Sequence, residues 1–230
     1  MKSTEFDKFA DEYAALHSNS IGASGEGPEY FAEYKIRDVK NHIAAHGLAV
    51  RESLDFGCGI GGSVPYFRKH LPEANLTCID VSQKSLDIAQ SRFPTSATYR
   101  LFDGESLPFE DNTFDVVFSA CVFHHIPATE HVRLMAEIRR VLTPDGVFFV
   151  FEHNPLNPLT VSVVKQCPFD ENAVLIASKE LSRRLNKAQF HSIVRKYRVF
   201  FPNFLRAFRP LESSLGWCPL GAQYYLAARK

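Results

Sequence analysis

The sequence predicts an α/β fold in which a parallel sheet carries helices on both sides. Short apolar segments alternate along the chain with segments whose apolar residues recur every three or four positions, which is the strand and helix pattern of such a sheet. A glycine-rich turn follows the first of the short apolar segments. The 230 residues, 45% hydrophobic and 23% charged, suit one globular domain with a core large enough to fold unaided.

Apolar spacing and boundary signals place the elements in order. Ser82 is a suitable N-cap for one helix, and Gly47 ends another. The apolar run at 114–119 predicts a strand buried on both faces, and the sequence TPDG at 143–146 predicts a turn that ends a helix. Helices are predicted at 6–16, 29–46, 63–70, 82–93, 131–142 and 178–190, and strands at 53–56, 75–79, 98–102, 114–119, 147–151, 193–201 and 223–228.

The glycine-rich turn after the first strand is the most informative motif. In the run LDFGCGIGG, Gly57, Gly59 and Gly62 let the backbone turn sharply and approach a ligand closely, but their spacing also fits a dinucleotide site. Asp55 separates the two cases, because its carboxylate would repel a pyrophosphate and attract a ligand that carries a sulfonium and an ammonium group. The turn therefore predicts S-adenosylmethionine as the cofactor.

Acidic residues follow the next strands at the same edge of the sheet, where ligands bind in parallel α/β folds. Asp80 ends the second strand and can accept both hydroxyls of a ribose; the alternative is an acid favoured by a helix N-terminus. Asp103 follows the third strand and can accept from the amino group of adenine, while Gly104 leaves room for the ring. The alternative for Asp103 is a plain turn.

The order and spacing of these motifs resemble a known family. The run LDFGCGIGG, Asp80, the segment FDGESLPFEDNTFDVVFSACVFHHI and the segment EIRRVLTPDGVFFVFEH are similar to the successive motifs of class I S-adenosylmethionine-dependent methyltransferases. The nearest likeness is to the branch typified by ubiquinone- and menaquinone-biosynthesis methyltransferases. The resemblance covers residues 50–155 closely, and the opening FDKFADEY resembles the N-terminal cap helix of that branch.

The resemblance implies a Rossmann-like fold whose seven strands take the order 3-2-1-4-5-7-6, with the last strand antiparallel. It implies that the glycine turn contacts the methionine part of the cofactor, that Ala120 offers its carbonyl to the ammonium group, and that Tyr13 closes over the cofactor. The implied product is S-adenosylhomocysteine. The expected cofactor-binding residues are Tyr13, Asp55, Gly57, Cys58, Gly59, Asp80, Val81, Asp103, Gly104 and Ala120.

Four residues at the ends of the fourth and fifth strands are candidate general bases: His124, His125, Glu152 and His153. A base matters when the acceptor is a hydroxyl, so the expected reaction is O-methylation of a small-molecule acceptor by in-line transfer. The alternative role of the pair His124–His125, and of the pair Glu152–His153, is to form hydrogen bonds that anchor the loop in which the pair lies. No metal site is predicted, because adjacent side chains rarely converge on one ion. Cys121 is expected to be a small buried residue rather than a nucleophile.

The acceptor pocket is expected from parts of the chain that the sheet core does not use. One methyltransferase domain is predicted over 1–230, with N-terminal cap helices at 1–47, a cofactor-binding core at 48–153, and an acceptor-side segment with closing strands at 154–230. Tyr30, Phe31 and Tyr34 are candidate lining residues, although aromatic residues at helical spacing also suit a core.

The net charge of zero argues against a nucleic-acid partner, but the charge is unevenly distributed. Residues 178–230 hold eleven Lys and Arg against two Asp and Glu, a net charge of +9. A solvated basic face explains this; the sharper interpretation is a phosphorylated or lipid-linked acceptor, or weak contact with an anionic membrane. Five scattered cysteines indicate neither a disulfide framework nor a zinc knuckle. Without an apolar signal or a membrane-spanning run, the chain is predicted to be cytoplasmic.

Two other functions fit parts of the sequence. A non-catalytic, regulatory S-adenosylmethionine-binding module would keep the cofactor motifs, but the candidate bases and a separate acceptor segment speak against it. An NAD(P)-dependent oxidoreductase would share the glycine spacing, but it would need a turn without Asp55 and a hydride-site pair such as Tyr-x-x-x-Lys, which the sequence lacks.

Overall fold

A seven-stranded sheet organises residues 25–230, the part of the chain that the computed structural model describes. The strands lie in the order β3-β2-β1-β4-β5-β7-β6. β7 pairs antiparallel with β5 and β6, whereas the other pairs are parallel. The predicted order and the antiparallel last strand are confirmed. The strands are β1 Glu52–Phe56, β2 Asn75–Asp80, β3 Thr98–Leu101, β4 Phe114–Ala120, β5 Leu142–His153, β6 His191–Arg198 and β7 Gln223–Arg229.

Helices connect the strands and cover the sheet. The hydroxyl of Ser82 accepts a hydrogen bond from the Ser85 N–H at 3.1 Å and caps its helix as predicted. The predicted helix at 6–16 lies outside the described residues. Within residues 25–230 no helix has the length and apolarity needed to cross a membrane. The helices are α1 Pro28–Ala45, α2 Val64–His70, α3 Gln83–Arg92, α4 His131–Val141, α5 Pro158–Gln166, α6 Ser178–Lys187 and α7 Glu212–Leu215, with 3-10 turns at Phe123–His125, Pro168–Asp170 and Asn203–Leu211.

The central strands are buried on both faces because a separate apolar cluster packs on each. Val117 and Phe148 belong to the cluster that includes the apolar residues of α4 and α6. Their sequence neighbours Val116 and Phe149 point the other way, into the cluster built with α1 and α2. This alternation explains why the strand at 114–119 has consecutive apolar residues at 116–118 rather than an alternating pattern.

Predicted boundaries near β5, β6 and α6 are wrong, and β6 ends at Arg198 rather than at 201 because Val199 takes a left-handed conformation with φ +62°. The segment at 143–146 does not form a turn between a helix and a strand, because β5 begins at Leu142, which is buried and pairs with Phe114. The register then shifts, so that Val147 pairs with Val116 and the intervening residues form an irregularity inside the strand. α6 ends at Lys187 rather than at 190, since Gln189 takes a left-handed conformation with φ +66°.

α1 is held across the sheet by buried polar contacts. The Arg198 guanidinium of β6 donates two hydrogen bonds of 2.5 Å to the Asp38 carboxylate of α1. The Tyr34 hydroxyl donates to Gln223 Oε1, at the start of β7. These contacts place α1 beside the carboxyl ends of β4 and β5, where the candidate bases lie.

Candidate active site

The glycine turn is fixed against its neighbours. The N–H groups of Gly57 and Cys58 both donate to the Ile79 carbonyl, at 2.9 and 3.0 Å. Gly57 has φ +79°, and a Cβ at this position would lie 2.6 Å from a methyl carbon of Val122. Only glycine meets both conditions. The backbone is therefore brought close to the loop that follows β4.

Asp80 joins the second strand end to this turn. Its Oδ2 accepts from the Gly59 N–H at 2.9 Å, and its Oδ1 accepts from the Ser82 N–H at 3.0 Å. An ionised carboxylate offers about four acceptor positions, so two backbone bonds leave capacity for the hydroxyls of a ligand. The side chain is thereby preoriented at the edge of the cleft.

Asp103 and Gly104 form a tight loop after β3. Asp103 Oδ1 accepts from the N–H groups of Glu105 and Ser106 at 2.7 and 3.0 Å, and these bonds lower the pKa of the exposed Asp103 carboxyl. Gly104 has φ +84°. The Arg133 guanidinium donates to the Gly104 carbonyl at 3.2 Å and holds the loop from α4.

These strand ends enclose a cleft of about 370 Å³, counted out to solvent. The floor is apolar, with Phe102, Ile126 and Leu134, and the predicted residues Gly57, Asp80, Val81 and Gly104 line it. The predicted residues Asp55, Cys58, Gly59, Asp103 and Ala120 lie on the same strand ends without lining the cleft, and Tyr13 lies outside the described residues.

Asp55 lies on β1, and the Ser63 hydroxyl donates a hydrogen bond to its Oδ2. Burial raises the pKa of Asp55 to about 7, against the effect of the Ser63 bond, and the carboxylate of Asp80 raises it further. In this arrangement the side chain supports the glycine turn from within the protein. Direct contact between Asp55 and a cofactor stays a prediction.

The four candidate bases lie close together on the side of the 121–126 loop that faces away from the cofactor cleft. His124 Nδ1 lies 2.6 Å from Glu152 Oε2, and the Phe123 N–H donates to Glu152 Oε1 at 2.8 Å. Glu152 is fully buried, and His124 is 2% exposed. The rings of His124 and His125 lie 4.2 Å apart, and that of His153 lies 5.4 Å from His124.

The structure adds Asp170, which sequence reasoning missed. Asp170 ends the 3-10 turn after α5, and its Oδ1 lies 3.5 Å from His124 Nε2 and 3.4 Å from His125 Nε2. The segment CPFD at 167–170 has no local pattern that marks this acid as a partner of the histidines. We call His124, His125, Glu152, His153 and Asp170 the histidine–carboxylate cluster.

Burial and neighbouring charge separate the pKa values within this cluster. Burial disfavours the imidazolium of His124, but the carboxylates of Glu152 and Asp170 outweigh it and raise the pKa of His124 to about 10. Burial, aided by the charge on His124, lowers the pKa values of His125 and His153 to about 4. The pKa of His124 is thus raised and that of the adjacent His125 is lowered, and strongly shifted pKa values are typical of a functional site.

α1 contributes Lys35, whose Nζ lies 3.8 Å from Cys121 Sγ. Cys121 has φ +59°, an uncommon conformation for a residue other than glycine, at the junction between β4 and the loop. Burial raises the pKa of its thiol, which suits the predicted packing role. The candidate lining residues Phe31 and Tyr34 both belong to the apolar cluster built with α1, and Tyr30 packs against it. The Tyr34 hydroxyl also donates to Gln223, whose Nε2 lies 3.4 Å from His153 Nδ1.

A large open groove adjoins the cluster at Asp170. Its volume is about 1420 Å³, counted out to solvent, and all its lining residues come from the 155–175 segment. This is the part of the chain expected to form the acceptor side. The lining includes Val161, Val164, Lys165, Asp170 and Leu175.

A seven-stranded sheet of this order, with a glycine turn after β1 and an acidic residue at the end of β2, defines the class I S-adenosylmethionine-dependent methyltransferases. Residues 54–150 match the model of a family described as Methyltransferase domain. Residues 54–150 thus carry a methyltransferase domain, and the sheet has the fold of the class I S-adenosylmethionine-dependent methyltransferases, as the sequence predicted. The narrower likeness to the ubiquinone and menaquinone branch stays a prediction.

Individual relatives agree with this assignment. A sterol 24-C-methyltransferase of Gibberella zeae is 31% identical over 118 residues, which cover 48% of this chain and 30% of that protein. A phthiotriol/phenolphthiotriol dimycocerosates methyltransferase of Mycobacterium tuberculosis is 32% identical over 113 residues, covering 49% of this chain and 41% of that protein. The matched part spans less than half the length of these curated relatives. A SAM-dependent methyltransferase structure from Thermotoga maritima superimposes with a TM-score of 0.69, 18% identity, and coverage of 99% of this chain and 98% of that one.

Proposed function

We propose that this protein transfers the methyl group of S-adenosylmethionine to an oxygen of a small-molecule acceptor. The observation that carries the proposal is the position of the 121–126 loop. Val122 and Ile126 line the cofactor cleft, while His124 and His125 of the same loop face Asp170 beside the groove. In-line transfer needs the acceptor oxygen in direct contact with the methyl carbon, so the donor and the acceptor would have to meet at the edge of this loop.

In the cleft, the glycine-turn backbone at Gly57, Cys58 and Gly59 would hold the methionine part of the cofactor, and Asp80 would accept its ribose hydroxyls. The preoriented carboxylate of Asp80 supports this role. Asp103, Gly104 and Val81 would surround the adenine, and the Ala120 carbonyl would accept from the ammonium group. This assignment follows the predicted roles residue by residue.

The reaction balances without a further reagent. The acceptor oxygen forms the O–CH₃ bond as the S–CH₃ bond breaks with its electron pair left on sulfur, and the hydroxyl proton passes to the histidine–carboxylate cluster. Alignment of the two reactants can supply roughly 7–11 kcal/mol of the barrier reduction, and a positioned base adds about 10²–10⁴-fold.

The groove favours an acceptor with an apolar part. Val161, Val164 and Leu175 supply apolar wall, and Lys165 supplies a positive charge for a phosphate or another anionic group. The curated relatives named above are sterol and phthiotriol dimycocerosates methyltransferases, whose named substrates are lipids. A hydroxylated, lipid-linked acceptor that carries a phosphate fits both observations.

Such an acceptor would be presented at an anionic membrane surface. Three large apolar side chains are strongly exposed in the basic C-terminal part, with Phe204 82%, Trp217 77% and Leu220 65% exposed. Apolar groups together with positive charge favour peripheral binding to anionic lipid. We include weak contact of this surface with an anionic bilayer in the proposal.

The deciding experiment measures binding and transfer separately. Calorimetry with S-adenosylmethionine and with NAD(P) shows which of the two cofactors the protein binds. A screen of hydroxylated lipids with methyl-labelled S-adenosylmethionine detects transfer through the release of S-adenosylhomocysteine. The proposal requires S-adenosylmethionine binding and label on an acceptor oxygen. Binding with no transfer to any acceptor would favour the regulatory module instead, and label on carbon or nitrogen would refute O-methylation.

A further inference from the structure

We propose that His124, His125 and Asp170 form a binding site for a divalent transition-metal ion of the zinc type. One ligand atom from each of the three residues lies within 4.8 Å of the other two, and Asp170 Oδ1 is close to Nε2 of both histidines. Two imidazole nitrogens and a carboxylate oxygen are a ligand set that zinc commonly takes. The histidines are adjacent, but the 3-10 turn at Phe123–His125 places both rings toward the same carboxylate.

The separations fit an ion better than direct hydrogen bonds. Asp170 Oδ1 lies 3.5 Å from His124 Nε2 and 3.4 Å from His125 Nε2, which is longer than the usual 2.7–3.2 Å of an N–H···O bond. Two ligand atoms bound at about 2.0–2.1 Å in a tetrahedron around zinc lie roughly 3.3–3.4 Å apart. In an octahedron with bonds of about 2.0–2.1 Å, neighbouring ligands would lie only about 3.0 Å apart. The two separations from Asp170 are therefore closer to the tetrahedral value than to the octahedral one.

His124 is prepared to act as a ligand. Its Nε2 is buried and makes no hydrogen bond among the residues that the structure describes. Its Nδ1 is 2.6 Å from Glu152 Oε2, and the Phe123 N–H fixes the other carboxylate oxygen at 2.8 Å. A hydrogen bond from Nδ1–H to a carboxylate turns the Nε2 lone pair outward, and this arrangement commonly supports metal-bound histidines.

The charges around the site also suit a divalent cation. Glu152 and Asp170 supply two carboxylates, while Lys35 approaches from α1, with its Nζ at 3.8 Å from Cys121. His153 faces the cluster with its ring 5.4 Å from that of His124. Binding displaces the imidazolium proton of His124 to solvent, so the net charge of Glu152, Asp170, Lys35 and His124 changes from 0 to +1 with the divalent ion in place. An oxyanion of the acceptor would neutralise the remaining charge.

Three protein ligands leave one tetrahedral position open, and Asp170 lies on the wall of the groove. We place the acceptor oxygen at that position, where the ion lowers the pKa of the bound hydroxyl. This second step rests on the proposed function, whereas metal binding itself does not. Glu152 acts here as a positioning residue, since it touches the ion only through His124.

The test uses the full chain after chelator treatment, titrated with Zn²⁺ by calorimetry and with Co²⁺ by visible absorption. We expect one ion per chain and the intense visible bands of tetrahedral Co²⁺. The variants His125→Gln and Asp170→Asn should each lower the affinity at least 10-fold and remove these bands. His191→Gln, at an exposed histidine of β6, is the matched control and should bind like the wild type.

S-adenosylmethionine binding, measured on every variant, shows that the cofactor side remains folded. Equal affinity in wild type, His125→Gln and Asp170→Asn would overturn the metal site, as would the lack of Co²⁺ binding by a wild type that binds S-adenosylmethionine. Metal binding without methyl transfer would instead refute only the proposed function. The two failures are therefore distinguishable.

Discussion

The Asp80 carboxylate accepts a 2.9 Å hydrogen bond from the backbone N–H of Gly59, and this bond ties the end of β2 to the glycine turn. Its second oxygen is held by the Ser82 N–H. A carboxylate fixed by two backbone donors can serve a ribose without first being ordered, so cofactor affinity should depend strongly on its charge and its acceptors.

We expect Asp80→Asn to weaken S-adenosylmethionine binding by about 10–100-fold, because an amide has one acceptor oxygen where the carboxylate has two. Calorimetry measures the effect. Asp103→Asn is the control at the neighbouring strand end: it keeps the acceptor oxygen on which the loop depends and should weaken binding less than 10-fold. If the Asp80 variant binds like the wild type, the ribose assignment is wrong.

Two glycines of the same turn provide a matched pair. In Gly57→Ala the new Cβ would lie 2.6 Å from Val122, at a φ of +79° that alanine rarely adopts. At Gly62 the φ is ordinary and no atom lies within 4 Å of the new Cβ. Gly57→Ala should therefore destabilise the fold by roughly 1–3 kcal/mol and reduce cofactor binding, whereas Gly62→Ala should change stability little. Chemical denaturation compares the two, and similar losses would contradict the argument.

Asp55 should make stability depend on pH. Burial raises its pKa in the folded state to about 7, above the ordinary value of 3.8. The unfolded chain therefore loses this proton at lower pH than the folded chain, and the wild type loses stability as pH rises toward 7. Asp55→Asn removes this effect while keeping an acceptor for Ser63. The variant should gain about 2–3 kcal/mol relative to the wild type between pH 5 and pH 8, measured by denaturation at each pH. A pH-independent difference would contradict the raised pKa.

The cofactor half of the site follows from local patterns. The glycine turn, Asp80 and Gly104 are each placed by the end of a strand, and parallel strands bring their ends to one edge. A reader of the sequence can therefore find them without knowing any tertiary contact. The alternation of strand and helix likewise predicts the sheet, whereas its order came from the family resemblance.

The acceptor half depends on contacts between distant parts of the chain. Asp170 is separated from His124 by 46 positions, and only the path of the 154–178 segment brings them together. Lys35 arrives from α1, and Ser63 from the far end of the glycine turn. None of these residues has a local pattern that predicts its partner. The irregularity at 143–146 was missed for a related reason, because the pairing of Leu142 with Phe114 overrides the turn signal.

The Asp38–Arg198 ion pair should contribute to the position of α1. Asp38 is 5% exposed and accepts two hydrogen bonds from one guanidinium. Replacing Arg198 leaves the buried Asp38 charge without compensation, which costs about 3–5 kcal/mol. We expect Arg198→Met to lose that much free energy of unfolding in denaturant titration, and the double variant Asp38→Leu with Arg198→Met to recover most of it. A double variant no more stable than the single one would contradict the desolvation argument.

The exposed apolar side chains of the C-terminal part should control membrane contact. Phe204 and Trp217 are 82% and 77% exposed and lie in the part of the chain with a net charge of +9. We expect the protein to sediment with anionic vesicles at low salt and to be largely released at moderate salt, because screening weakens attraction between exposed charges. Phe204→Ser with Trp217→Ser should lower the bound fraction several-fold at constant charge. The matched variant Val174→Ser alters a side chain that is 71% exposed but lies outside the basic part, and it should bind like the wild type. If the fraction bound to vesicles changes neither with salt nor with the substitutions at Phe204 and Trp217, the proposed membrane contact is refuted.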